Sequence, residues 1–343
     1  MNVIFEIGHP SYVHNFKNVI WRLSERGHSI KICAIGTDVT FALLDAYGLH
    51  YENLAVYTEG NLLKSRIQLL LNAERKMLKV AFKFKPDVFV SGYSPVSAHV
   101  STLMGRRHIA FDDTENTRLT DLIIKPFTDV IYTPSCFMRD LGKKQVRYNG
   151  YKELSYLHPK YFKPDPEVLH KIGVKEEEPI IFLRFVSWRA HHDIGQHGVR
   201  NKMELIKMLE SFGRVLVSSE EPDPNLDKYT IKIAPEDIHS LLSYSRLYVG
   251  DGATMATEAG VLGTPSIYVS TFKGTLGNFI ELENKYSLVY SVKDEEEVYE
   301  RAREILVDPS SKADWIKKRD VMLSEKIDVA DFMIHQIERC GRL

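Results

Sequence analysis

Leu247-Tyr248-Val249-Gly250-Asp251-Gly252-Ala253-Thr254-Met255-Ala256-Thr257-Glu258-Ala259 is the stretch from which the rest of the chain is best read. Leu247 to Val249 predicts a short buried strand, and Gly250 and Gly252 predict a glycine turn. Ala253 to Leu262 then predicts a helix, which Gly263-Thr264-Pro265 stops before a second strand, Ser266 to Ser270. Glycine lets a backbone turn sharply and approach a ligand closely. A helix that begins at such a turn points free N–H groups and the positive end of its dipole outward. Gly250, Gly252, Ala253, Thr254 and Met255 therefore form a candidate anion site. Thr254 and Glu258 are four apart and share a face, and the long Glu258 side chain leans back toward the helix start. Phosphate on the helix start and a sugar diol on the Glu258 carboxylate together describe a nucleoside diphosphate. The plainer reading is a tight turn in an ordinary strand–helix unit.

Outward from this stretch, strand and helix signals alternate over the whole chain, which predicts parallel α/β sheets. Strands are expected at Val3–Ile7, Ser29–Ala34, Val88–Ser91, His108–Phe111 and Val130–Tyr132, with a helix from Val13 to Arg26 closed by Gly27. Pro159, Pro164 and Pro166 mark a link, after which strands restart at Pro179–Arg184, Val215–Ser218, Ile231–Ile233, Leu247–Val249 and Ser266–Ser270. Glu325 to Arg339 is amphipathic, with Ile327, Ala330, Ile334 and Ile337 on one stripe. The expected organisation is a first Rossmann-like domain over 1–160 and a second over 161–324, facing each other across a cleft. A closing helix over 325–343 returns to the first.

The chain has 343 residues, too long for one typical core. Lys plus Arg number 45 against 46 Asp plus Glu, so no global field favours nucleic acid. The three cysteines, Cys33, Cys136 and Cys340, have no paired spacing, as expected of a reduced, cytoplasmic protein. The start, Met1 to Gly8, reads as a strand and not as a signal peptide. No apolar run approaches the ~20 residues that span a bilayer.

Gly8-His9-Pro10, Asp112-Asp113-Thr114-Glu115, Tyr148-Asn149-Gly150-Tyr151-Lys152-Glu153-Leu154, and Gly250-Asp251-Gly252 with Glu258 occur in order along nearly the whole chain. Together they resemble an archaeal and bacterial domain-of-unknown-function family grouped with GT-B glycosyltransferases. The resemblance implies a GT-B fold whose C-terminal domain holds a nucleotide-sugar, and metal-independent chemistry with the nucleotide-sugar as substrate and no further cofactor. The chain is also similar to the non-hydrolysing UDP-GlcNAc 2-epimerases. Their phosphate-gripping Ser-Gly-Gly turn falls on Gly252-Ala253-Thr254, and Asn116 with Leu119-Thr120-Asp121 echoes another of their segments. Asp113 falls where one epimerase acidic residue stands, and Tyr93 or Ser94 near an expected aspartate. The loop carrying a further catalytic glutamate is shortened here. The peptidoglycan GlcNAc transferase shares the layout, but its acceptor loop has no counterpart.

Several groups qualify for the chemistry. Gly8, at the end of the first strand, belongs to the expected substrate-binding set, and the adjacent His9 and nearby His14 are candidate bases, histidine titrating near neutrality. The alternative for each is a turn or helix-start hydrogen bond. Asp112, Asp113 and Glu115 follow a strand, and clustered carboxylates raise one another's pKa; helix capping is their plainer role. Arg184, Ser187 and Arg189 follow the first strand of the second domain, where the resemblance places the donor diphosphate. Guanidinium suits phosphate, and an ion pair with Asp193 or Glu220 is the alternative. His191, His192, Asp193 and His197 have no spacing of a closed metal site, so no metal is expected. From Asn61 to Lys85, Lys and Arg interleave with Leu, Met and Phe, which suits either peripheral contact with a membrane bearing a lipid-linked acceptor or a core-packed helix with a solvated face.

Three functions fit these residues. The first is a nucleotide-sugar glycosyltransferase, with an acceptor that the sequence does not identify. The second is a nucleotide-sugar 2-epimerase using the acidic cluster. The third is a nucleotide-sugar-binding protein without chemistry.

Overall fold

Among the described residues of the computed structural model, twelve strands, all paired in parallel, form two separate sheets. The structure describes residues 1–57, 63–115, 120–175, 177–187, 198–271 and 274–341, with side chains of the long third helix from residue 67 onward. The chain divides into two units, Met1–Tyr161 with Ile327–Leu343, and Phe162–Lys326.

The first unit holds β1 (Asn2–Ile7), β2 (Ser29–Gly36), β3 (Tyr51–Val56), β4 (Val88–Ser91), β5 (Arg107–Phe111), β6 (Val130–Pro134) and β7 (Gln145–Tyr148), in the order β3-β2-β1-β4-β5-β6-β7. Val3, Ile4, Phe5 and Ile7 of β1 are fully buried, as a central parallel strand covered on both faces requires. The second unit holds β8 (Ile180–Phe185), β9 (Arg214–Ser219), β10 (Leu247–Gly250), β11 (Ser266–Val269) and β12 (Val289–Val292), in the order β12-β11-β10-β8-β9. Strand order reverses between β1 and β4 in one sheet and between β10 and β8 in the other. Parallel sheets bind ligands outside the carboxyl ends of the strands at such reversals.

The strands that the apolar pattern leaves out are β3, β7 and β12, and each is an edge strand. β3 and β7 carry polar residues, Glu52 and Asn53 in one and Gln145 and Arg147 in the other, so their hydrophobic signal is weak, whereas β12 is apolar but only four residues long. The expected strand at Ile231–Ile233 is corrected: beside β9 there is one isolated bridge, Val217 to Thr230. Pro235 opens a 3-10 turn directly afterwards and no longer ladder forms.

The first helix runs Pro10–Glu25 and so starts a turn earlier than Val13, because His9 caps it and Pro10 occupies its first position. The final helix is Val329–Cys340; Glu325 ends the preceding helix, Ser311–Glu325, and Asp328 caps the last one. Ala330, Ile334 and Ile337 are buried in the first unit, whereas Ile327 precedes the helix and is 36% exposed. Among the described residues, no helix is long and apolar enough to cross a membrane.

Candidate functional site

In the second unit, β10 ends at Gly250 beside Arg184 of β8, and the helix Ala253–Val261 begins after Gly252. The two glycines differ. A Cβ on Gly250 would stand 2.6 Å from the Arg184 carbonyl oxygen, so close strand packing demands glycine there. A Cβ on Gly252 would meet nothing nearer than 3.5 Å, and neither residue has a positive φ. The turn therefore comes from packing against β8 and not from left-handed backbone. The N–H groups of Ala253, Thr254 and Met255 lie in the first turn, where an α-helix offers no internal acceptor.

Glu258 is buried, and its Oε1 is 3.0 Å from Nε2 of His239, itself buried in the helix Ile238–Tyr244. The carboxylate is thus oriented by a partner that sequence spacing does not announce. Asp251, between the glycines, accepts the Val186 N–H at 2.7 Å and abuts Gly198, so one buried carboxylate touches both ends of the segment after β8. Arg184 donates to Ser218 Oγ and to Glu220 Oε1, each at 2.7 Å, and Glu220 Oε2 accepts the Ser187 N–H at 3.0 Å. Arg184 and Ser187 are therefore both tied to Glu220 at the end of β9, and the Arg184 stem lies 3.5 Å from the Cβ position of Gly252. Arg189 and the set His191, His192, Asp193 and His197 lie outside the described residues, as do Asn116 and Leu119.

In the first unit, the acidic run emerges from β5. Asp112 is 4% exposed, and its Oδ1 accepts the Thr114 N–H at 3.1 Å. Burial first, and then the adjacent Asp113 charge, push its carboxyl up to about 7. Asp113 is held by Lys152, whose Nζ is 2.7 Å from Oδ2 and 2.9 Å from Oδ1. Burial works against the Lys152 charge, but Asp113 and Glu153 outweigh it and raise its pKa. Tyr12, in the first turn of the helix Pro10–Glu25, lays its ring against Gly92 at the end of β4. Its hydroxyl is raised by burial and then by Asp112 and Asp113. The cluster therefore draws on the ends of β4, β5 and β7 and the start of one helix. Lys152 and Tyr12 are the residues that sequence reasoning missed; Lys152 stands in a quoted motif but nothing local signals its partner.

Three candidates have partners of their own. His14 lies in the second turn of its helix, 6% exposed, with Nδ1 3.1 Å from the Tyr47 hydroxyl and its ring stacked on Tyr156. Glu115 turns away from Asp112 and Asp113; its Oε1 accepts the Met138 N–H at 2.5 Å and its carbonyl accepts from Arg139, fixing the segment after β6. His9 is exposed and caps its helix, its Nδ1 accepting the Ser11 N–H at 3.2 Å. Gly8 keeps open space, with nothing within 4 Å of its Cβ position.

The comparisons with known proteins agree with this geometry at the level of fold. Residues 1–337 match the family described as protein of unknown function (DUF354). An uncharacterized protein of Methanocaldococcus jannaschii is 21% identical over 280 residues, spanning 78% of this chain and 81% of that protein. The UDP-GlcNAc 2-epimerase of Neisseria meningitidis bound to UDP-GlcNAc is similar with a TM-score of 0.71 at 11% identity, over 99% of this chain and 100% of that one. The spinosyn forosaminyltransferase SpnP gives 0.68 at 15% identity, and the glycosyltransferase VinC in complex with DTDP gives 0.65 at 11%, both over 100% of each chain. The chain belongs to the DUF354 family and has the GT-B fold of these glycosyltransferases and epimerases.

Proposed function

We propose that the chain is a GT-B glycosyltransferase that moves a sugar from a nucleoside diphosphate donor to an acceptor hydroxyl. The observation that carries this reading is the carboxyl pair after β5. Lys152 pairs with Asp113 at 2.7 Å, and burial pushes the Asp112 carboxyl beside it up to about 7. A general base works best with a pKa close to the working pH. In the step, the acceptor oxygen attacks the anomeric carbon and the bond to the diphosphate oxygen breaks. The acceptor proton passes to the Asp112 carboxylate, and the diphosphate leaves with the bonding electrons. His9 is the second candidate base. The first-turn N–H groups of the helix Ala253–Val261 and the Arg184 guanidinium would meet the departing charge, so the reading calls for no metal or further cofactor. Arg184 would exchange Glu220 for phosphate. Glu258, oriented by His239, would take the ribose hydroxyls.

A 2-epimerase is the second reading, favoured by the adjacency of Asp112 and the Lys152-paired Asp113 within one cluster. It needs acid–base groups but no acceptor. Proton NMR of UDP-sugars incubated with the protein alone separates the two. No conversion beyond slow hydrolysis is expected; a C2 epimer that disappears in Asp113→Asn would make the chain an epimerase. Saturable donor binding with no product in the presence of any acceptor would make it a binding protein.

A further inference from the structure

The helix Leu63–Phe84 connects the end of β3 to the start of β4. Its inner face is an ordinary core face, with Ala73, Met77 and Ala81 fully buried. Its outer face is not an ordinary solvated one. Three large apolar side chains stand on it, Ile67 at 50%, Leu71 at 45% and Phe82 at 64% exposure. The cations Arg75, Lys76, Lys79 and Lys83 share that exposed face. From residue 67 to 83 the exposed positions include no carboxylate. Glu74, the acid in this span, sits on the flank and is engaged by His99 Nδ1 at 2.6 Å. The same His99 donates from Nε2 to the Ile123 carbonyl oxygen at 2.8 Å and packs edge-on against Phe127. It thereby joins the helix to a second exposed apolar group, Leu122 at 74%, Ile123 at 45% and Phe127 at 40%.

We infer that this face of the first unit docks on an anionic phospholipid surface. The inference is independent of the transfer chemistry. A helix lying in a membrane interface needs apolar side chains to enter the acyl boundary and cations to meet lipid phosphates, and both are present along about 22 Å of helix. A nucleic acid backbone would use the cations but leave Ile67, Leu71 and Phe82 in water. A second copy of the chain would bring four cations against four, which repel. The whole chain carries a formal net charge of −1, so the positive character is local to this face. The amino end of the helix lies at the carboxyl end of the strands, the same end as Asp112 and Lys152, because the helix returns the chain antiparallel to the sheet.

The test is co-sedimentation of the full chain with vesicles of phosphatidylcholine alone and of phosphatidylcholine with about one-third phosphatidylglycerol. Wild-type protein is expected to sediment with the anionic vesicles, to be released by high salt, and to ignore the neutral ones. Removing two cations in Lys79→Gln/Lys83→Gln should weaken partitioning about thirtyfold, and Phe82→Ser about tenfold. Lys228→Gln, at an exposed lysine of the other unit, should change nothing. All of these positions are exposed, and circular dichroism checks that each variant folds. Absence of binding to anionic vesicles overturns the inference, as does binding that both helix variants retain. Light scattering that shows a dimer lost in Phe82→Ser, or RNA binding without vesicle binding, would assign the face to another occupant and equally overturn it.

Discussion

Asp112→Asn should stabilise the protein and silence it, and the stabilisation should depend on pH. Asp112 is 4% exposed, and its carboxyl is pushed from 3.8 to about 7, by burial before all else. At about 1.4 kcal/mol per pH unit, ionising it in the folded chain costs about 4 kcal/mol. Between pH 3.8 and about 7 the folded chain keeps a proton that the unfolded chain has released, so stability falls as pH rises through that window and levels off above it. Asparagine mimics the protonated carboxyl and can still accept the Thr114 N–H, but it has no proton to lose. The stability gap between variant and wild type should therefore widen by about 2–3 kcal/mol between pH 5 and pH 8.5. Urea unfolding at the two pH values, followed by circular dichroism, measures it. Wild-type turnover should rise with pH through about 7 as the base ionises, and the variant should have none. A gap that stays constant with pH, or a variant less stable by the same amount at both, would refute the reasoning.

Glu258→Ala should weaken UDP binding about ten- to a hundredfold while leaving inorganic phosphate binding unchanged, since only the nucleoside loses its charged hydrogen bond; calorimetry reads both. Lys152→Met leaves Asp113 among buried groups without its counter-charge and should cost about 3–5 kcal/mol in urea unfolding at pH 7, with Asp113→Asn/Lys152→Met recovering much of it. Gly250→Ala, which drives a Cβ to 2.6 Å from the Arg184 carbonyl oxygen, should cost about 1–3 kcal/mol or more, against at most about 1 kcal/mol for Gly252→Ala, where the nearest atom is 3.5 Å away. Equal losses at the two glycines would contradict this packing argument.

Local chemistry by itself determined the alternating architecture, since a central parallel strand must be apolar throughout and a helix must stop at Gly263-Thr264-Pro265. It also placed candidate groups at strand ends, because β5 and β10 are followed by an acidic run and a glycine-rich turn. The edge strands β3 and β7 were not legible in that way, being half exposed and carrying charged and amide side chains, and β12, though buried, is only four residues long. Which candidates lie together was decided only by tertiary structure. His14 and Glu115 carry the same side-chain chemistry as His9 and Asp113, yet helix phase buries one against Tyr47 and chain direction turns the other to the Met138 N–H. Lys152 lies 39 residues after Asp113, and His239 lies 19 before Glu258. Pairings across such separations are fixed by strand order and helix packing. A carboxyl's pKa depends on burial and on the charges brought within a few ångströms, and neither quantity is written in the residues adjacent to it.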